Sequence, residues 1–270
     1  MKKIGVIGCG VVGTAVIEGM SHAFEVATYD NNKDSSCESI GELVQQVDGP
    51  IFVCVPTPMD SSGACDTHIV ESVINEINEA ARFCEEVPVV AIKSTVVPGT
   101  TLELSKKYIN IDIGFNPEFL TERNATEDFK NQDRIIVGAS GTALWTICTC
   151  LKAAFPDVPI YGCKPTEAEM VKYTANVHLA IKVAFANEIN QMCQSLGICY
   201  DTVIKLATKD KRLGESHWSV PGPDGLLGFG GTCFPKDLNA LAFKAYELGV
   251  ETPVMKGAWK KNIEVRKEYK

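Results

Sequence analysis

The chain has 270 residues, and its 26 Lys and Arg against 34 Asp and Glu give a formal net charge of −8 at pH 7. That balance excludes a broad basic surface for a phosphate backbone, so no nucleic-acid partner is expected. A hydrophobic content of 45% with 22% charged residues belongs to a globular chain rather than a disordered or collagen-like one, and the length leaves room for one large domain or two modest ones.

From the N-terminus, short apolar runs at Lys3–Gly8, Glu25–Asp30, Pro50–Val55, Pro88–Ser94, Asp112–Asn116 and Arg134–Gly138 read as strands separated by helical stretches. Several are rich in Val and Ile without polar alternation, as in parallel strands covered on both faces, so the expected fold is α/β with a Rossmann-type doubly wound parallel sheet. Thr67–Glu86 carries Ile69, Val73, Ile74, Ile77, Ala80 and Ala81 at helical spacing, and Pro98–Tyr108 opens with a proline suited to a helix start. Strand signals cease near Lys164, so the expected domains are 1–163 and an all-helical 164–270. The second is built on one long helix, Thr166–Gly197, spanning about 45 Å, which suits a scaffold or a homodimer contact. Asp201–Thr208 reads as a short helix, Lys209–Gly231 as a Gly/Pro-rich loop and Pro235–Gly249 as a further helix.

No apolar run reaches the roughly 18 residues needed to span a bilayer, and Met1-Lys2-Lys3-Ile4 leads straight into strand-like sequence. No membrane partner is expected, and the protein is read as cytoplasmic. Eleven cysteines scattered from Cys9 to Cys233 read as free thiols, and the four histidines share no zinc-ligand spacing with Cys148-Thr149-Cys150, so no metal is expected.

Two segments carry chemistry. Gly8-Cys9-Gly10-Val11-Val12-Gly13 follows a strand and opens a helix, where glycines permit a tight turn and close approach of a pyrophosphate to the helix N-terminus. Asp30 ends the next strand, where a carboxylate binds ribose hydroxyls and repels a 2′-phosphate, favouring NAD over NADP. Lys33 is placed near the adenosine ribose. The second segment, Gly228-Phe229-Gly230-Gly231-Thr232-Cys233-Phe234-Pro235-Lys236-Asp237, holds one thiol in a glycine loop just before a helix start, which favours a thiolate nucleophile. Asp237 lies four residues on, on the same helical face. The residues alone equally allow a buried inert cysteine beside a helix-stabilising Asp.

This string resembles the catalytic cysteine motif of the UDP-glucose/GDP-mannose dehydrogenase family. Similar motifs stand in order at Val55-Pro56-Thr57-Pro58, Lys93-Ser94-Thr95-Val96-Val97-Pro98-Gly99, Asn116-Pro117-Glu118-Phe119-Leu120 and Ala168-Glu169-Met170-Val171-Lys172-Tyr173-Thr174-Ala175-Asn176. The resemblance implies a two-step, four-electron oxidation of a nucleotide sugar's primary alcohol to a carboxylate with NAD, most like UDP-glucose to UDP-glucuronate; GDP-mannose and UDP-N-acetyl-amino sugars are the alternative substrates. Cys233 is implied as nucleophile, Lys172 and Asn176 as stabilisers of an oxyanion, Glu118 as base for hydrolysis, and Asp237 as the group orienting Lys172 or a water. Thr95 is placed near both reacting centres.

For NAD the glycine turn with Gly8, Gly10, Val12 and Gly13 stands with Asp30 and Lys33, and the resemblance further implies Thr57, Thr95, Glu122 and Lys236. For the sugar nucleotide it implies Glu118, Leu120, Lys172, Asn176 and Gly230, the last letting substrate approach the backbone. Without it, Lys172, Asn176 and Lys236 read as exposed polar residues and Thr57 as part of a rigid turn. The chain departs from the family in having Thr121-Glu122-Arg123 where Arg-Glu-Gly is usual, and in a longer loop over 218–227. It also ends where the family usually continues into a nucleotide-binding domain, so a short form lacking that domain is expected. An NAD-binding or assembly module with impaired catalysis is then the alternative to an enzyme.

Overall fold

The computed structural model describes residues 1–60 and 62–269, with the side chains of Glu122 and Tyr269 also outside the description. It divides into two compact units, one of 1–58 with 66–172 and one of 59–65 with 173–270.

The first unit starts β1 (Lys3–Ile7), α1 (Val11–Met20), β2 (Glu25–Tyr29), α2 (Ile40–Gln46) and β3 (Ile51–Val53). It continues α3 (His68–Ala81), β4 (Val89–Ile92), α4 (Thr100–Lys107), β5 (Asp112–Phe115), α5 (Ala125–Lys130), β6 (Ile135–Gly138), α6 (Gly141–Ala154) and β7 (Ile160–Cys163). The strands form one sheet in the order β2-β1-β3-β4-β5-β6-β7. Alternate residues feed two cores. Ile51, Val53, Val90, Ile92 and Phe115 pack toward α2, α3 and α4, while Phe52, Val89, Ala91 and Val137 pack toward α1, α5 and α6. The chain order reverses between β1 and β3, so a crevice opens at their carboxyl ends, directly beyond which the glycine turn lies.

The sheet is not parallel throughout. β6 meets β5 in antiparallel register at Phe115↔Gly138, and β7 runs parallel to β6. The connection explains the reversal: between β5 and β6 the chain forms a 3-10 turn at Glu122–Asn124 and the six-residue α5, which packs on α1 with the Phe129 ring against Gly19 instead of making a full helical crossover.

Two buried charges organise the carboxyl ends of β4 and β5. Glu169, fully buried, accepts from the N–H groups of Gly99 at 2.6 Å and Thr101 at 2.8 Å, so its carboxylate caps α4. Lys93, 2% exposed, donates to Asn116 Oδ1 at 2.9 Å and Asn116 O at 3.2 Å and lies 5.2 Å from the centre of the Phe129 ring. Asn116 Nδ2 in turn donates to Ile136 O at 2.8 Å, which ties β4, β5 and β6 together at this end.

The second unit holds most of α7 (Pro165–Leu196), then α8 (Tyr200–Ala207), α9 (Phe234–Glu247) and α10 (Pro253–Val265). α7 has 32 residues and stops at Gly197, whose φ of 68° only glycine adopts without cost. Pro235 stands in the first turn of α9, where its missing N–H is no loss. Met59 and Cys65 form an isolated antiparallel bridge, and the turn between them brings Gly63 against Asn239 of α9. Among the described residues no helix is long and apolar enough to cross a membrane, and no group of three or more metal-ligating side chains occurs.

Burial pushes Lys93 down to about 8 from an ordinary 10.5, with Lys172 acting in the same direction and Cys54 and Glu118 opposing. Between those two values the unfolded chain holds a proton that the folded chain has released, so this group makes folding more favourable as pH rises through the window. The unfolding free energy of the protein minus that of Lys93→Met, from denaturant titration, is expected to grow by about 2–3 kcal/mol between about pH 7.5 and 10. A pH-independent difference would show that Lys93 titrates normally.

Candidate active site

The glycine turn is shaped by what a side chain would hit. A Cβ on Gly8, whose φ is 91°, would lie 2.8 Å from Cys54 O, and one on Gly13 would run into Gly8 O. Gly10, by contrast, faces open space at the N-terminus of α1. The N–H groups of the first helical turn, Val12 among them, have no partner within the helix and are free for an anion. Asp30 Oδ2 accepts from Cys9 N at 2.6 Å and Oδ1 from Asn32 N at 2.8 Å, and Lys33 Nζ donates to Cys9 O at 2.5 Å. Burial works to raise the Asp30 carboxyl, but the backbone N–H groups of Asn32 and Cys9 and the Lys33 charge hold it below its ordinary value. A groove of about 440 Å³ lies over the turn, lined by Gly10, Val11, Thr14, Lys33 and Arg123 among others. A dinucleotide's diphosphate fits this cradle: open space above Gly10, a helix N-terminus and two cations. Arg123, the residue that departs from the family pattern, stands in the wall of this groove.

Thr57 is buried in its turn between two exposed prolines, and Thr95 is half-buried just beyond β4. Glu122 has its side chain outside the described residues.

Around the end of β5 the structure brings Glu118 and Lys172 together. Lys172 Nζ donates to Glu118 Oε1 at 2.8 Å and to Glu118 O at 2.6 Å, with the two side chains 3% and 9% exposed. Glu118 Oε2 accepts from Leu120 N at 2.7 Å, and the Lys172 ammonium lies 5.6 Å from the Phe119 ring centre. Burial works to raise the Glu118 carboxyl, but Lys172, the Leu120 N–H and Lys93 hold it below its ordinary value, ionised at neutral pH.

In the second unit Asp237, 1% exposed, accepts from Asn176 Nδ2 at 2.6 Å and from Lys236 Nζ at 2.6 Å. Burial opposes the Lys236 ammonium, yet the Asp237 carboxylate lifts it above its ordinary value, with Cys65 and Cys233 adding in the same sense. Lys172 and Asn176 are therefore buried and Lys236 half-buried, all three paired rather than solvated helix residues. The hydrogen bonds of Asp237 run to Asn176 and Lys236. Cys233 is half-buried at the N-terminus of α9, with Thr232 Oγ1 3.7 Å from its sulfur. Gly230 has no room for a Cβ, because the Arg266 guanidinium occupies that space.

None of the eleven cysteines is in a disulfide. Burial raises Cys9, Cys148 and Cys163 and pushes Cys54 and Cys150 to about 12, which keeps them neutral. Cys199, at the N-terminus of α8, goes the other way, lowered by the hydroxyl and backbone N–H of Thr202. Three residues with structural weight at these centres, Lys93, Asn262 and Arg266, were not singled out for a role by the sequence reading. Lys93 lay inside a family-like motif, but nothing local marks it as buried.

Residues 39–151 match the UDP-glucose/GDP-mannose dehydrogenase family, NAD binding domain, and residues 166–264 match the family's central domain. The chain is 34% identical over 226 residues to the GDP-mannose 6-dehydrogenase of Pseudomonas aeruginosa, covering 78% of this chain and 50% of that protein. It is 28% identical over 298 residues to the UDP-glucose 6-dehydrogenase of Haloferax volcanii, covering 95% and 68%. Among solved structures, the UDP-glucose dehydrogenase from the hyperthermophilic archaeon Pyrobaculum islandicum matches with a TM-score of 0.87 and 30% identity over 98% of this chain and 68% of that one. The chain thus spans about half the length of the GDP-mannose dehydrogenases it matches. The match to the NAD binding domain identifies the cofactor as NAD, in agreement with the fit of the glycine cradle and Asp30. With both domain matches and the fold in agreement, the chain belongs to the UDP-glucose/GDP-mannose dehydrogenase family.

Proposed function

We propose that the protein oxidises the primary alcohol of a nucleotide sugar to the carboxylate with two molecules of NAD, and that UDP-glucose is its substrate and UDP-glucuronate its product. The observation that carries this reading is the placement of Cys233 at the first turn of α9, four residues ahead of a buried Asp237 whose carboxylate is already paired. A helix N-terminus favours the thiolate, the form that attacks carbon.

NAD, held by the glycine turn, Val12, Asp30 and Lys33 with Thr57, Thr95, Glu122 and Lys236, supplies the hydride acceptor for each oxidation. After the first oxidation the Cys233 thiolate adds to the aldehyde carbon, forming a C–S bond while the carbonyl oxygen takes up the electron pair and then a proton. Lys172 and Asn176, one turn apart on α7, are the proposed donors to that oxygen. Loss of the second hydride and of the hydroxyl proton leaves a thioester. Glu118, kept ionised, then takes a proton from water as the water oxygen attacks the thioester carbon, the C–S bond breaks, and Cys233 departs as thiolate. The sum is alcohol, water and two NAD⁺ giving carboxylate, two NADH and three protons. Leu120 and the backbone at Gly230 are the remaining proposed substrate contacts.

The exposed apolar residues Phe185, Met192 and Leu196 on α7 support a homodimer through that helix, and the free thiols support a reducing, cytoplasmic setting.

Assayed against UDP-glucose, GDP-mannose and UDP-N-acetyl-amino sugars, the protein is expected to release two NADH per acid formed, with UDP-glucose the best substrate. Cys233→Ala is expected to lose acid formation by roughly a thousandfold or more. Normal acid formation by that variant would defeat the thioester step, and NAD binding with no acid from any of the sugars would favour a binding module. Asp30→Ala is expected to weaken NAD binding roughly tenfold by calorimetry and to narrow the preference over NADP; unchanged affinity and preference would remove Asp30 from the cofactor site.

A further inference from the structure

We propose that Asn262, in the last turn of α10, and Arg266, the residue that caps its C-terminus, are positioning residues that set the conformation of the loop carrying Cys233. The inference rests on the reading of Cys233 as the nucleophile. The loop Leu227–Gly230 has no secondary structure of its own, yet each of its residues meets a buried polar side chain. Asn262, with no exposed surface, accepts from Phe229 N at 2.7 Å through Oδ1 and donates to Phe229 O at 2.9 Å through Nδ2. One side-chain amide therefore stands in for a strand partner and satisfies both backbone groups of a single residue. Arg266, 4% exposed, donates to Leu227 O at 3.3 Å and to Asp224 Oδ2 at 2.7 Å, with Glu268 Oε2 2.8 Å from its Nε. From α7, Asn187 Oδ1 accepts from Gly228 N at 3.2 Å.

The glycines on either side of Phe229 are the complement of this clamp. A Cβ on Gly228 would overlap Asn262 Oδ1, and one on Gly230 would overlap the Arg266 guanidinium. The first and third positions of the Gly228-Phe229-Gly230 run thus make room for α10. Three residues further on is Cys233, whose carbonyl already accepts the Asp237 N–H at 2.8 Å as α9 begins. A nucleophile that must reach one carbon gains from being held to a fraction of an ångström, and here the holding groups lie about 30 residues downstream in sequence.

The test measures iodoacetamide alkylation of Cys233 against pH, read by peptide mass spectrometry on the full chain, with amide hydrogen exchange over 227–231. In Asn262→Ala, exchange at Gly228–Gly230 is expected to accelerate at least roughly tenfold. The pH of half-maximal Cys233 alkylation is expected to rise by about one unit as the sulfur leaves its place at the helix N-terminus, with Cys199 unaffected. Arg266→Lys keeps a cation beside Asp224 but not the flat guanidinium over Gly230; it is expected to shift both readouts the same way by less, and it serves if Asn262→Ala does not fold. Faster exchange or a lower melting temperature with an unmoved alkylation midpoint would reduce the clamp to ordinary stability and overturn the proposal. Neither readout requires turnover, so the result stands apart from the sugar-oxidation assay.

Discussion

The ion pair between Lys172 and Glu118 is the interaction on which the chemistry assigned to the first unit turns. Both side chains are almost wholly withdrawn from water, so neither charge is tolerable without the other, and removal of one partner from such a pair costs about 3–5 kcal/mol. Lys172 reaches the backbone oxygen of Glu118 as well as its carboxylate, and so holds an irregular segment at two points. Lys93 grips the same segment two residues earlier at Asn116. The stretch 116–120, which belongs to no helix or strand, is thereby held by two buried ammonium groups and left with an ionised carboxylate. That ionised state is the one the proposed role of Glu118 as base requires.

The second unit uses the same device at another place. Asp237 is buried with Asn176 on one oxygen and Lys236 on the other, and the carboxylate stands in the first turn of α9, where negative charge is favoured by the helix dipole. The thiol at the start of the same helix sits near the Lys236 ammonium, which feels both Cys233 and Cys65. Charges that would be indifferent on a surface gain weight here because water is excluded from them.

Much of the fold was legible because parallel strands buried on both faces announce themselves as continuous Val and Ile runs, as at Val89–Ile92 and Ile51–Val53. β7 went unread because it is a half-exposed strand with the pattern Ile160-Tyr161-Gly162-Cys163, and the reversal of β6 depends on how α5 packs, which no local pattern encodes. The glycine turn and Asp30 were legible from spacing alone. Lys172, Asn176 and Lys236 were not, since residue type predicts exposure and only their partners, 54 to 61 residues away for the first two, make burial tolerable. Gly230 shows the same limit: no local pattern reveals that Arg266, 36 positions later by residue number, fills the space where a side chain would stand.

The central claim is that one sulfur among eleven carries the half-oxidised sugar. It is tested most directly by acid-quenching the protein during turnover of UDP-glucose with NAD, using Glu118→Gln to slow hydrolysis, and locating the covalent adduct by peptide mass spectrometry. The account predicts a nucleotide-sugar acyl group on Cys233 and on no other cysteine. An acyl group on Cys199, the exposed thiol held below its ordinary value, or NADH release with no adduct on any sulfur, would contradict it.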